Sequence, residues 1–392
     1  MKKEEIFQTY KDYIVPSYTK TPLIFVKGKG SYLWDIDGKK YLDFFPGWGV
    51  GNLGHCHPKV MAAVRDQVSK LIFIPNNYYH IVQAKLAKEL NYWTQKPYKV
   101  FFGNSGAEAN EAAIKLSRKF GQGRHEIITF TDSFHGRTMA ALSATGQKKY
   151  QEGFAPLVQG FISVAFNDLE AVKHAINDKT VAIMLELIQG EGGINIASFE
   201  FVKALRQLCD KHKLLLIIDE VQTGVGRTGT MFAWQQYGIE PDIFTLAKSL
   251  GGGLPIGVML AKPNISDLLV PGTHASTFGG GFVVCRAALA VLRAVQKEKM
   301  LKSAKSGGQY LVEALNSLKA KHEIIKEVRA TGRMCGVELN VAGKPIVEEC
   351  IKQGLLINCT HDKVLRIMPA LNVTKSQINK AVGILDIVLG SY

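Results

Sequence analysis

The sequence predicts an α/β protein in which a mostly parallel sheet is sandwiched by helices. Three observations carry that prediction. Short apolar runs of strand length recur at residues 100–102, 127–130, 161–166, 181–187, 214–218, 243–246 and 258–261. Helical patterns lie between several of them, and in one Phe201, Ala204, Leu205 and Leu208 fall on a single face. Two of the runs also deliver a charged residue to their ends, Asp219 after Leu214–Ile218 and Lys248 after Ile243–Leu246. Strand ends are where such sheets keep their chemistry.

Taken in order, residues 1 to about 45 read as an entry segment, with an N-terminal helix and then a meander of short strands. Gly28-Lys29-Gly30 and Asp37-Gly38 supply its turns. The glycine-dense stretch Gly47–Gly54 leads into His55-Cys56-His57, a packed turn before a helix from Pro58 to Ser69. No further ligand pair at zinc-like spacing lies nearby, so no metal is expected. From Val100–Phe102 the chain turns through Gly103–Gly106 into an alanine-rich helix, Ala107–Phe120. A small turn entering a helix offers unpaired N–H groups and a favourable dipole, which is a phosphate cradle. After Cys285 come a long amphipathic helix to about Lys299, another over Gly308–Lys319, and mixed strands near 332–337, 355–357 and 364–368. That pattern predicts a smaller α+β unit. No internal repeat interrupts the chain.

Composition excludes several classes. With 46% hydrophobic and 21% charged residues the chain reads as soluble and globular. Its net charge of +14 is dispersed, without a basic run interleaved with aromatics, so no nucleic-acid partner is expected. No stretch is apolar enough for a membrane span, and the first ten residues lack the apolar core of a secretory signal. The six cysteines have no framework spacing, which predicts reduced thiols and a cytoplasmic setting.

An ionised Asp and a lone Lys brought to one sheet edge suit a cofactor with a basic ring nitrogen and an aldehyde. Pyridoxal 5'-phosphate is that cofactor. Gly224-Val-Gly226-Arg-Thr-Gly229 offers a competing reading, because it matches the dinucleotide pattern and follows a strand. Its context fails: a short aromatic segment replaces the required helix, and the next strand ends in Lys248 instead of a ribose-binding acid. A non-catalytic nucleotide-binding protein is therefore the remote alternative.

Seven further stretches extend the pattern: Asn52–Pro58, Asn104–Ala113, Ser133–Thr138, Gln189–Gly192, Asp219–Gly224, Leu246–Lys248 and Ser276–Gly280. In these the chain resembles the class III aminotransferases, pyridoxal-phosphate enzymes of fold type I, over nearly its whole length, and within them the acetylornithine aminotransferase branch. The resemblance implies a large cofactor-binding domain over residues 46–285 and a smaller domain formed by residues 1–45 and 286–392. It further implies a homodimer with shared active sites. The implied reaction moves the terminal amine of N2-acetyl-L-ornithine to 2-oxoglutarate by a ping-pong route in arginine biosynthesis, giving glutamate. Ornithine, 4-aminobutyrate and succinyl-diaminopimelate are the alternative donors.

Residue roles follow from the same resemblance. Lys248 bonds the cofactor aldehyde and, once freed, moves the proton, while Asp219 holds the ring nitrogen cationic. Ser105, Gly106 and Ala107 bind the phosphate, joined by Thr277 of a neighbouring subunit. Phe134 stacks on the ring, Gln222 donates to its hydroxyl, and Val221 completes the cofactor contacts. Arg137 takes the donor's α-carboxylate and the side-chain carboxylate of glutamate, and Arg366 takes glutamate's α-carboxylate. Glu191 gates Arg366. Ser276, Tyr18 and Trp48 complete the substrate-binding set. Trp48 stands where the family tends to carry a small aliphatic residue or a tyrosine, and Gly281-Phe282 replace a common Asn-Pro.

Overall fold

A computed structural model describes all 392 residues. Its centre is a seven-stranded sheet in the order Lys99–Gly103, Gly257–Ala261, Ile243–Leu246, Leu215–Asp219, Thr180–Leu185, Glu126–Phe130 and Phe161–Val164. Only Gly257–Ala261 runs against its neighbours. Four of the strands are buried at every position, because helices cover both faces. Successive side chains therefore enter opposite cores: Leu216 and Ile218 join the larger apolar cluster, Leu215 and Ile217 the smaller one across the sheet. Helix Gly106–Gly121 turns Ala112 and Ala113 toward that smaller cluster, and their size lets it lie close to the strands.

The ends of the chain meet in a separate core. Phe25–Lys29, Tyr32–Asp35 and Lys40–Asp43 form the expected antiparallel meander, and Leu355–Leu356 adds to it in parallel beside Leu42 and Asp43. Leu42 and Phe44 pack in one cluster with Leu355, Leu365 and Ile378. The strands Ile325–Thr331, Met334–Leu339, Val364–Ile367 and Asn358–Thr360 form a second, antiparallel sheet there.

Three expectations are corrected. The helix expected over Gly308–Lys319 spans Met300–Lys321, because Gly307 and Gly308 do not break it. A Cβ on Gly308 would lie 2.1 Å from the Gly332 carbonyl oxygen, so the glycine permits close approach of a neighbouring turn. The strand expected near 332–337 starts at Met334, with Gly332 at φ +59 in the hairpin turn before it. The strand expected through Leu187 ends at Leu185, which leaves Glu186 at the sheet edge.

The glycine stretch 224–229 is buried turn. Gly226 packs against Leu301 and Leu371, and Arg227 is 0% exposed. A pyrophosphate would find no open face there.

Candidate active site

The carboxyl ends of the parallel strands border a cavity of about 510 Å³. Asp219, the last residue of its strand, lies at the wall and is 4% exposed. A carboxylate buried so far must be hydrogen-bonded. Val221 N donates to Oδ1 at 3.0 Å, while Asn110 Nδ2 and His135 Nδ1 each donate to Oδ2 at 2.8 Å. Thr245 fixes the Asn110 amide by donating to its oxygen at 2.8 Å. For His135, burial opposes protonation, but the bond to Asp219 and its charge outweigh it and raise the pKa.

Glu186 sits beside this group and accepts from Phe134 N at 2.9 Å and Gly190 N at 3.3 Å. Burial, with the Asp219 charge adding to it, pushes its pKa to about 7. Sequence reasoning missed Asn110, His135 and Glu186. Asn110 lies one helical turn past Gly106, and Glu186 follows an apolar run just as Asp219 does, so both left a signal.

Lys248 follows the neighbouring strand with φ 41, a left-handed backbone that a non-glycine residue adopts at a cost. Its side chain lines the cavity. Burial lowers its pKa most, and Arg366 adds to that, against the opposing charges of Glu191, Asp219 and Glu186. The result is an amine that becomes nucleophilic at lower pH than an exposed lysine.

At the other end, Ser105 caps helix Gly106–Gly121 by accepting from Glu108 N at 3.1 Å. The N–H groups of Gly106 and Ala107 precede the first helical bonds and stay available to an anion. A Cβ on Gly106 would lie 2.8 Å from Val221 Cγ1, so only glycine keeps this turn against the wall. Phe134, Val221 and Gln222 line the space between, and Gln222 Oε1 is buried without a partner. An acid, an amine, a flat wall and an anion cradle around one cavity fit pyridoxal 5'-phosphate.

The two arginines expected to bind substrate differ in state. Arg137 lines the cavity with its guanidinium 4.0 Å from the Tyr150 ring and no carboxylate partner. Arg366, 1% exposed, lies behind Glu191: Nη1 donates to Glu191 Oε1 at 2.6 Å and Nη2 to Oε2 at 3.3 Å. Asn358 and the Gly190 carbonyl take its other protons, and the Phe45 ring lies 4.6 Å away. Burial works against ionised Glu191, but Arg366 outweighs it and holds the pKa below the usual value.

The other expected residues stand outside the cavity within one chain. Ser276 Oγ accepts from Asn104 Nδ2 at 3.0 Å and so braces a lining residue. Thr277 is on the surface. Tyr18 is 71% exposed, on the segment after the first helix. Trp48, at φ 54, turns its ring onto Phe45 at 5.8 Å and reaches Arg366 only through that ring. His55 and His57 pair with Asp43 at 2.7 Å and Glu298 at 3.3 Å, and no His/Cys/Asp/Glu cluster suits a metal.

Fold and site together define a pyridoxal-phosphate-dependent enzyme of fold type I. Residues 13–389 match the family model described as aminotransferase class-III, and the chain belongs to that family. Among similar proteins, the acetylornithine aminotransferase of Methanocaldococcus jannaschii is 49% identical over 98% of this chain and 98% of that protein. That of Aquifex aeolicus is 45% identical over 96% of this chain and all of its own length. A solved ornithine aminotransferase from Toxoplasma gondii superposes with TM-score 0.96 at 31% identity, covering 100% of this chain and 96% of the other. No helix is long and apolar enough to cross a membrane.

In the cofactor-free protein, the depressed pKa predicts that Lys248 reacts with an amine-directed reagent with a pH midpoint below that of exposed lysines. Peptide mass mapping across pH would show this, and a midpoint shared with Lys380 would contradict it.

Proposed function

We propose that the enzyme transfers the terminal amine of N2-acetyl-L-ornithine to 2-oxoglutarate in two half-reactions, as part of arginine biosynthesis. The names of its relatives support the donor, and the Glu191–Arg366 pair beside a free Arg137 is the observation that carries the reading. While the pair is closed, the cavity offers one free guanidinium, which suits a donor with a single carboxylate and a neutral side arm. When Glu191 turns away, Arg366 becomes a second fork and the cavity suits a dicarboxylate.

Bound pyridoxal phosphate supplies an electron sink for the carbon that loses its proton. Asp219, whose carboxyl oxygens accept three hydrogen bonds, would stabilise positive charge at the ring nitrogen. Lys248, freed from the aldehyde, would carry the proton from the substrate carbon to the former aldehyde carbon of the cofactor. Phe134 and Val221 would hold the ring, and the N–H groups of Gly106 and Ala107 would hold the phosphate.

Conversion of Glu191 to Ala frees Arg366. We expect glutamate to bind more tightly, and turnover of the terminal-amine donor to fall by about tenfold or more, in keeping with the cost of an unpaired buried charge. Single-turnover bleaching of the cofactor by glutamate and by N-acetylornithine, ornithine, 4-aminobutyrate and succinyl-diaminopimelate, in wild type and variant, measures both. An equal response of wild type to the four terminal-amine donors, or an unchanged preference between glutamate and N-acetylornithine in the variant, contradicts the reading.

We further infer a homodimer. Ile72, Phe73, Tyr79 and Phe278 are exposed together with Thr277, and the Phe73 and Phe278 rings lie 5.4 Å apart. An apolar face of this kind needs cover, and a second copy would also bring Thr277 to its neighbour's phosphate cradle. Light scattering should give twice the chain mass, and a monomer with full activity would contradict it. The six free cysteines support a reducing, cytoplasmic setting, testable by fractionation of cells that make the protein.

A further inference from the structure

Away from the catalytic cavity, a guanidinium is buried without a counter-ion. Arg333 follows the hairpin turn at Gly332 and is 1% exposed. Its Nη2 reaches the Ser303 and Val373 carbonyl oxygens at 3.3 and 3.4 Å, both long bonds. Its Nε and Nη1 have no partner. A charge removed from water without an acid or a full set of acceptors is costly.

The neighbourhood makes the imbalance larger. Arg227, 0% exposed, donates through Nη1 to the Arg333 carbonyl at 3.1 Å and to Pro369 O at 2.5 Å. It too lacks a carboxylate, finding only the Asn52 amide oxygen. Burial pushes Arg333 down to about 10, and burial with repulsion from Arg333 pushes Arg227 down to about 9. The fold nonetheless makes room for the Arg333 fork, since a Cβ on Gly307 would lie 2.0 Å from Nη2.

Arg333 lines a second cavity, of about 360 Å³, which shares no residue with the catalytic one. Lys375, at the start of helix Lys375–Leu389, stands on its wall with Nζ 4.9 Å from the Tyr310 ring. Ser306 and Gln309 add polar atoms, and Glu313 is the single acid on the wall, occupied by the Gln309 amide at 3.1 Å. Glu313 forms no ion pair with either cation.

We propose that this cavity is a second ligand site that takes a small oxyanion, a carboxylate or a phosphate, at the buried Arg333 guanidinium with Lys375 as the second cation. Nη2 already serves the Ser303 and Val373 carbonyls, so the anion meets the guanidinium through single charge-assisted hydrogen bonds from Nε or Nη1. The anion supplies the acceptors that the protein withholds.

The test is thermal unfolding of the holoenzyme, with its phosphate cradle filled, against inorganic phosphate and against acetate, each compared with potassium chloride at matched ionic strength. Wild type should show a saturable rise in Tm beyond chloride with at least one of the two, and the stronger arm identifies the preferred group. R333M should bind about tenfold more weakly or not at all, as expected for losing charge-assisted bonds. K375A should weaken the response, K380A should leave it unchanged, and R137A should retain it. The same response in R333M as in wild type, no response beyond chloride in wild type, or its loss in R137A overturns the proposal. Should R333M fail to fold, the surface variants decide, and equal responses of K375A and K380A overturn it.

Discussion

The Asp219 carboxylate, buried and held by three donors, is the constraint on which the site depends. Its partners come from a helix, a loop and its own strand end, so helix Gly106–Gly121, the His135 loop and the sheet must converge within hydrogen-bonding distance of one side chain. Removing any of these partners leaves a buried carboxyl oxygen short of a donor, a cost far above that of an ordinary surface change. The same helix that brings Asn110 to Asp219 opens its N-terminus to the cavity at Gly106. One rigid element therefore sets the distance between the Asp219 carboxylate and the free N–H groups of Gly106 and Ala107.

A second constraint links the two cores. Buried Arg227 ties the glycine turn to Asn52, to Pro369 and to the hairpin carrying Arg333. Arg366 stands on the strand just ahead of Pro369, and its guanidinium crosses to Glu191 and Gly190 on the large-sheet side. The Glu191–Arg366 pair thus lies where the core formed by the chain ends meets residues that follow the central sheet.

Much of this was legible in the sequence because buried parallel strands are uninterrupted apolar runs, so a charge at their ends stands out. Asp219 and Lys248 were visible for that reason. Glu186 carries the same signal, but the apolar Leu187 beyond it let the expected strand run over it. His135 gave no signal, since its partner lies 84 residues away and only the fold brings them together. Gly307 and Gly308 read as a helix break because local propensity is all a sequence window holds, whereas the structure uses them for contact with Arg333 and Gly332. Tyr18, Trp48 and Thr277 lie off the cavity in a single chain, and backbone torsion at Trp48 or the surface position of Thr277 leaves no periodic trace.

The most direct measurement of the central claim is the nitrogen-15 NMR shift of ring-labelled pyridoxal phosphate bound to wild type and to D219N. The account predicts a protonated ring nitrogen in wild type, unchanged as pH rises through neutrality, and loss of that protonation in D219N with the cofactor still bound through Lys248. An unprotonated nitrogen in wild type, or the same shift in both proteins, would contradict it.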